Sequence, residues 1–245
     1  MSRHGLAALL CATSIFLGAC ASNGGSNNPK DPYENLNRNV YAVNDVVDRA
    51  TFKPLAKGYT KVVPRFARTG VSNFFDNLVT PRSAVNNFLQ GKPSAGGEDI
   101  MRFIINSTVG IGGLIDFASA AGMPEHRETF RETFAVWGIP DGPFVMLPFL
   151  GPHTVSDVFA LPLDIWADPW RHYDESSVKD KLWLLRLVDI RARLLAADGL
   201  LEDSEDPYVA LREAYLQNRE FRIYDGDPPA SQEDEDLFDE FFNED

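Results

Sequence analysis

Apolar and polar positions fall at helical spacings over most of the chain, and sustained strand-type alternation is scarce. Leu36, Val40, Val43 and Val47 recur at intervals of 4, 3 and 4, which predicts a helix with one apolar face. Its start is marked by Asp31-Pro32-Tyr33-Glu34. Asp31 suits the cap, Pro32 the first helical position and Glu34 the reciprocal position of a capping box. Asn35, Asn37, Asn39 and Asn44 share this segment; such amides serve solvent and local hydrogen bonds, or a special site. Pro54 and Pro64 break residues 53–68. Residues 70–90 read as short helices separated at Thr80-Pro81, with amides interleaved among Phe74, Phe75, Leu78, Val85, Phe88 and Leu89. A further helix opens near Glu98 and enters residues 103–115. This stretch is uncharged, bounded by Arg102 and Asp116, and contains Gly110, Gly112 and Gly113. It is too short to cross a bilayer, which takes about 20 apolar residues. A buried helix with a glycine turn and an interfacial or re-entrant element both fit it.

Residues 142–156 carry no formal charge with His153 neutral, yet Pro143, Pro148 and Pro152 exclude a continuous helix. An apolar segment that cannot be helical is buried in protein or lines a cavity. Trp137, Trp166, Trp170 and Trp183 suit a membrane interface and a protein interior equally. Ser177 and Asp180 then mark a helix to about Ala197, with Gly199 as its stop. Leu182, Leu185, Val188, Ala192 and Leu195 form one face of it, opposite Lys179, Arg186, Asp189 and Arg193. An apolar face this wide packs on a core in the first reading and faces lipid in the second. Asp206-Pro207 opens a last helix to about Glu220. The body is mainly α.

The net charge of −13 is concentrated at the end of the chain. Residues 225–245 hold ten acidic side chains and no Lys or Arg, whereas 20–224 is nearly balanced. No basic patch points to nucleic acid. The tail reads as disordered and solubilising, although the i,i+4 pairs Leu237/Phe241 and Phe238/Phe242 would suit an amphipathic helix on a basic partner. At the other end, Arg3 and His4 precede an apolar run from Leu6 to Phe16 and then Leu17-Gly18-Ala19-Cys20. Small residues before a cysteine fit a peptidase groove, and the pattern resembles the lipobox of bacterial lipoproteins. That resemblance implies diacylglycerol on Cys20, cleavage after Ala19 and, with Ala21 following, sorting to the outer membrane. Residues 1–19 are then a signal peptide and 20–30 a polar tether. Residues 31–224 form one domain, and 225–245 the acidic tail. With Cys11 removed and Cys20 capped, no disulfide or cysteine metal site remains.

Catalytic patterns are missing. His126, His153 and His172 have no partner at a metal-binding spacing, and no Gly-x-Ser-x-Gly elbow or P-loop occurs. Gly110-x-Gly112-Gly113 lacks the spacing of a dinucleotide loop. Glu125, Glu128 and Glu132 around His126, Arg127 and Arg131 read as a solvated charged helix face. His153 and Asp157 with a distant serine would make a triad, but nothing selects that serine. The sequence therefore predicts a protein without catalytic residues, metal or cofactor.

Several segments, in order, resemble the MlaA (VacJ) lipoprotein family. They are Asp31-Pro-Tyr-Glu-Asn-Leu-Asn-Arg-Asn-Val-Tyr-Ala-Val-Asn44, Asn86-Asn-Phe-Leu-Gln-Gly91, Arg102 to Asp116 (RFIINSTVGIGGLID), Gly142-Pro-Phe-Val-Met-Leu-Pro148, Arg191-Ala-Arg-Leu-Leu195 and Asp206 to Tyr215 (DPYVALREAY). The resemblance implies a single helical ring-shaped domain embedded in one membrane leaflet, with short Pro/Gly-rich segments around a central amphipathic channel. It also implies removal of mislocalised phospholipid from the outer leaflet of the outer membrane. That lipid passes to the periplasmic carrier MlaC, in association with a trimeric porin and without a cofactor. Asn44, Gly110, Gly112, Gly113, Asp116 and Asp157 are the candidate residues of the lipid path. A membrane-anchored lipid hydrolase and a porin-binding adaptor without transport are the other readings. The chain departs from the family pattern at Ser156, where an arginine is common, so the usual neutralisation of Asp157 does not carry over. If Cys20 is the anchor, Cys20→Ala abolishes incorporation of radioactive palmitate; normal labelling of that variant would refute the assignment.

Overall fold

In a computed structural model describing residues 28–169 and 175–229, the chain is mainly helical with one two-stranded antiparallel sheet. The signal segment, Cys20, the first part of the tether, Trp170, His172 and the acidic tail from residue 230 lie outside the described residues. Helix α1 (Glu34–Val47) continues through a π-helical turn (Asp48–Phe52) into α2 (Lys53–Val62). Pro54 therefore does not interrupt the helix. The wider turn before it makes room where an α-helical carbonyl would meet the proline ring. Pro64 does interrupt it, because the residue before a proline is pushed to extended geometry, and Val63 has ψ 121°.

Helix α3 (Arg65–Leu89) is a single helix of 25 residues with Pro81 inside it, not the short helices expected. Helix α4 (Pro93–Thr108) packs along it, and that tertiary contact outweighs the lost hydrogen bond. The glycine-rich turn leads to α5 (Phe117–Ala120) and α6 (Phe130–Val136). The proline-rich segment becomes a hairpin, β1 (Phe144–Leu147) paired with β2 (Gly151–Thr154), which two strands of four residues did not announce by alternation. Helices α7 (Val155–Trp166) and α8 (Ser176–Leu194) follow, then a 3-10 turn (Leu195–Ala197), α9 (Asp198–Glu202) and α10 (Pro207–Ile223). Gly199 sits inside α9 and ends nothing. Packing runs in a closed circuit: α2 on α8, α8 on α3, α3 on α6, α6 on α10, α10 on β2, and β1 on α1.

Burial is inverted. Among the described residues, eight apolar side chains are buried against twenty polar or charged ones, the reverse of a water-soluble core. On α3, Asn77, Ser83, Asn86 and Asn87 turn inward while Val85, Phe88 and Leu89 lie exposed. On α8 the polar face supplies buried Asp189; Leu182, Leu185, Val188, Ala192 and Leu195 are half-buried, and Trp183, Leu184 and Leu194 face out. Glu128 and Glu132 are likewise buried, not solvated. Gln90 Nε2 donates to Glu128 at 2.7 Å, and Arg222 pairs with Glu132 at 2.8 Å. Asp31 caps nothing: it is fully buried and accepts hydrogen bonds from Asn37 (2.8 Å), Tyr208 (2.6 Å) and Arg212 (3.0 Å).

The amides of α1 hold the hairpin. Asn37 Nδ2 donates to Phe144 O (3.1 Å) and its Oδ1 accepts from Met146 N (2.9 Å). Asn44 repeats the pair with Leu147 O (2.9 Å) and Phe149 N (2.8 Å). Seven helical residues rise about 10.5 Å, and three strand residues advance about 10 Å. Two amides one heptad apart thus match the repeat of β1 and stand in for a third strand.

Asn37→Ala would leave the Phe144 carbonyl, the Met146 amide and Asp31 each short of a partner. Replacing it should cost about 2–4 kcal/mol, read as a lowered thermal midpoint of detergent-solubilised protein. Asn39→Ala, at an exposed position, should stay within about 0.5 kcal/mol of the parent. Equal effects would remove the clamp from the account.

Candidate functional site

A polar crevice lies where α3, α4 and the residues after α5 meet. It encloses about 60 Å³ and is lined by Asn73, Asp76, Asn77 and Thr80 of α3, Arg102 and Asn106 of α4, and Asp116, Glu125 and Arg127. Asp76 is its electrostatic hub. It accepts from Arg127 (3.0 Å) and from Arg193 of α8 (3.1 Å). Arg193 also pairs with Asp189 at 3.3 Å, and Ser72 Oγ donates to the same carboxylate at 3.0 Å. Burial pushes Asp189 up from the ordinary carboxylate range, against Ser72 and Arg193, which pull it down. Asn77 Nδ2 donates to Ser107 Oγ at 3.0 Å, while its buried Oδ1 has no protein partner.

The glycine-rich turn closes one side of the crevice. Gly113 N donates to Asn106 O (2.8 Å) and Ile115 N to Gly110 O (2.9 Å), folding residues 110–115 back on the end of α4. A Cβ at Gly110 would stand 2.2 Å from Ile115 O and 2.3 Å from Asn106 O. At Gly113, φ is +92° and a Cβ would meet Asn77 at 2.7 Å. Ile111 has φ 54°, an unfavourable region for a β-branched residue, and its side chain is left exposed. Beside the turn, Asp116 accepts from Ser119 N (3.0 Å), Asn106 Nδ2 (2.9 Å) and Arg102 Nη2 (3.2 Å). Burial works against the Asp116 charge, but Ser119, Asn106 and Arg102 hold the carboxyl below its usual range. Immediately outside this ionic cluster, Ile104, Val109, Leu114, Ile115 and Phe117 are exposed. Charge lies inside and hydrocarbon outside.

Of the candidate residues Asp116 lines the crevice and Gly113 packs against Asn77 of its wall, while Gly110 and Gly112 lie in the adjoining turn. Asn44 and Asp157 lie elsewhere. Asn44 is engaged with the hairpin backbone, and Asp157 stands at the first turn of α7, where Thr154 and Asp157 cap each other. Asp157 is completely buried; Arg219 Nε donates to it at 3.1 Å, and Tyr215 Oη donates as well. Arg219 Nη2 also reaches Ser156 Oγ at 3.2 Å. The basic group missing at position 156 is thus supplied in space by α10. Burial opposes the Asp157 charge, yet Tyr215 and Arg219 hold its carboxyl below the ordinary range.

Asp76, Asn77, Arg127 and Arg193 were not among the sequence candidates. They come from three separated segments, and the one signal for them was polar residues placed on otherwise apolar helices. Among the described residues no His/Cys/Asp/Glu group could hold a metal ion. His126 Nε2 lies 2.9 Å from Glu98, and His153 Nε2 is buried without a partner, so no described serine is bonded to either ring.

The sequence profile of the family described as "MlaA lipoprotein" matches residues 29–222. The chain is 38% identical over 223 residues to the "Intermembrane phospholipid transport system lipoprotein MlaA" of Escherichia coli (strain K12), covering 88% of this chain and 87% of that one. It is 33% identical to the protein of the same name from Haemophilus influenzae, over 93% of both chains. A solved structure reported under "Structural basis for maintenance of bacterial outer membrane lipid asymmetry" superposes with a TM-score of 0.69 at 37% identity. That superposition covers 79% of this chain and 98% of the other.

The close approach at Gly110 separates two glycines of one turn. Gly110→Ala must open the loop and should destabilise by about 2–3 kcal/mol. Gly112→Ala has open space around its Cβ and bears only the strain of φ +67°, about 1 kcal/mol. Denaturant midpoints in matched detergent should rank parent, Gly112→Ala, Gly110→Ala; the opposite order would contradict the geometry.

Proposed function

We propose that this chain, which belongs to the MlaA lipoprotein family, carries phospholipid out of the outer leaflet of the outer membrane through a passage in its own body. The observation that carries this reading is the inverted distribution of polarity. Large apolar side chains cover the outside, including Phe66, Phe159, Trp166 and Leu200, each more than two-thirds exposed. Water-soluble monomers rarely expose contiguous apolar patches beyond a few hundred Å², so this surface suits acyl chains. No helix among the described residues is long and apolar enough to cross a membrane. The body accordingly lies in one leaflet, with the exposed turn at 109–117 and the outer face of α8 in the hydrocarbon boundary.

The closed packing circuit supports a ring, and the ionic crevice supports a polar lining for it. A phospholipid head entering hydrocarbon unpaired meets a prohibitive desolvation penalty. Asp76, Arg127, Arg193 and Asp116 offer it charge partners, and the unpartnered Asn77 carbonyl offers an acceptor, while its acyl chains remain outside. In this scheme Gly110, Gly112 and Gly113 shape the wall, and Asn44 and Asp157 brace the opposite side through the hairpin. Lipid then passes to the periplasmic carrier MlaC, with a trimeric porin beside the ring and Cys20 as the anchor. Side-chain chemistry supplies passage, not bond cleavage, so no cofactor enters.

Lipidated full-length protein reconstituted in vesicles with fluorescent phospholipid provides the test. Transfer of intact labelled lipid to soluble carrier is expected, and Asp76→Ala with Arg193→Ala should slow it at least about fivefold. Release of free fatty acid would favour a hydrolase instead. Porin capture without transfer would reduce the protein to an adaptor.

A further inference from the structure

A second cavity is larger than the crevice. It encloses about 520 Å³ between the end of α6, the hairpin, α10 and Lys30, a size typical of small-molecule sites, which run about 300–1,000 Å³. It shares no residue with the crevice. Its walls are of two kinds. Ile139, Leu216 and Ile223 are apolar, while Lys30, Asp141 and Glu220 are charged.

The charges there are unevenly committed. Arg219 lines the cavity, but its guanidinium is bonded to Asp157, Asp141 and Ser156. Lys30 and Glu220, in contrast, make no side-chain ion pair or hydrogen bond with any described residue. One uncommitted ammonium and one uncommitted carboxylate therefore open on the same cavity, next to an apolar floor. Among the lining residues two cations, Lys30 and Arg219, stand with two carboxylates, Asp141 and Glu220. A ligand carrying only a phosphate would leave the site net negative, whereas a ligand with its own ammonium keeps the charges balanced. The C-terminal turn of α10, which contributes Ile223 and Tyr224, adds carbonyl dipoles that also favour a cation.

We propose that this cavity binds the head and upper acyl segment of a zwitterionic aminophospholipid. Its phosphate lies on Lys30, its primary ammonium between Glu220 and Asp141, and its first methylenes on Ile139, Leu216 and Ile223. The inference rests on the transport reading for the class of lipid, and it adds a head-selective station separate from the crevice.

Binding, not transfer, tests it. Full-length protein in amphipol is titrated calorimetrically with dihexanoyl lipids bearing ethanolamine, choline or glycerol heads, and with glycerophosphoethanolamine as the head alone. The ethanolamine lipid should bind at least about fivefold more tightly than the glycerol lipid, the worth of one partly exposed charge pair. The choline lipid, which has no N–H donors, should fall between them. Glu220→Gln should erase the preference without weakening the glycerol lipid, and Lys30→Gln should weaken all three lipids alike. Both sites are at the surface, so unchanged thermal midpoints would exclude misfolding as the cause. Equal affinity for the three heads, or a Glu220→Gln variant that keeps the preference, would overturn the proposal. Head-only binding as tight as that of the lipid would mean a soluble phosphoamine ligand and would overturn the lipid assignment. Selective binding with no vesicle transfer would sink the transport reading alone; transfer without selective binding would sink only this inference.

Discussion

Most buried polar side chains in this fold take their partners from inside the protein, beneath a surface rich in exposed apolar side chains. That pairing organises the structure. Asp31 is the clearest case: it has no solvent contact and is held by Asn37, Tyr208 and Arg212, which belong to the first and last helices. Removing one partner of such a set exposes the others to desolvation at about 1–3 kcal/mol each. The ends of the described body are therefore joined by electrostatics and hydrogen bonds more than by hydrophobic burial. The cluster of Phe144, Met146 and Tyr208 is the modest apolar component at the same junction.

The same pairing explains why amides recur on α1 and α3. An asparagine offers a donor and an acceptor without a charge, so it can complete a neighbour's backbone in a place where water is scarce. Asn37 and Asn44 do this for β1, whereas Asn86 and Asn87 join α3 to neighbouring side chains, accepting from Thr133 Oγ1 and donating to Asp99. Where amides do not suffice, ion pairs take over, as at Asp76 and Asp157. A buried pair such as Arg219–Asp157 adds little net stability over apolar packing, but breaking it leaves a stranded charge. Such pairs fix geometry, and a fixed polar lining is what a passage for lipid heads needs.

Much of the candidate site was legible along the chain. The uncharged run ending at Asp116, with its three glycines, marked the turn that closes the crevice, and the family motifs coincide with the buried amides and carboxylates. Asp76, Arg127 and Arg193 were not legible, because their significance is their mutual distance and they sit far apart in sequence. Ser156 pointed to a missing positive charge; Arg219 meets Asp157 and Ser156 from a helix more than 60 residues away.

Helical periodicity, the stop at Pro64, the opening at Asp206-Pro207 and the absence of catalytic spacing followed from local residue chemistry alone. They depend on backbone sterics and short-range hydrogen bonds, which a sequence displays directly. The direction each amphipathic face points did not follow. Periodicity defines the faces of α3 but not which one meets the protein. Only packing decided that the polar face goes in, because the interior is built from paired polar groups and the surroundings of the exterior are not written in the pattern.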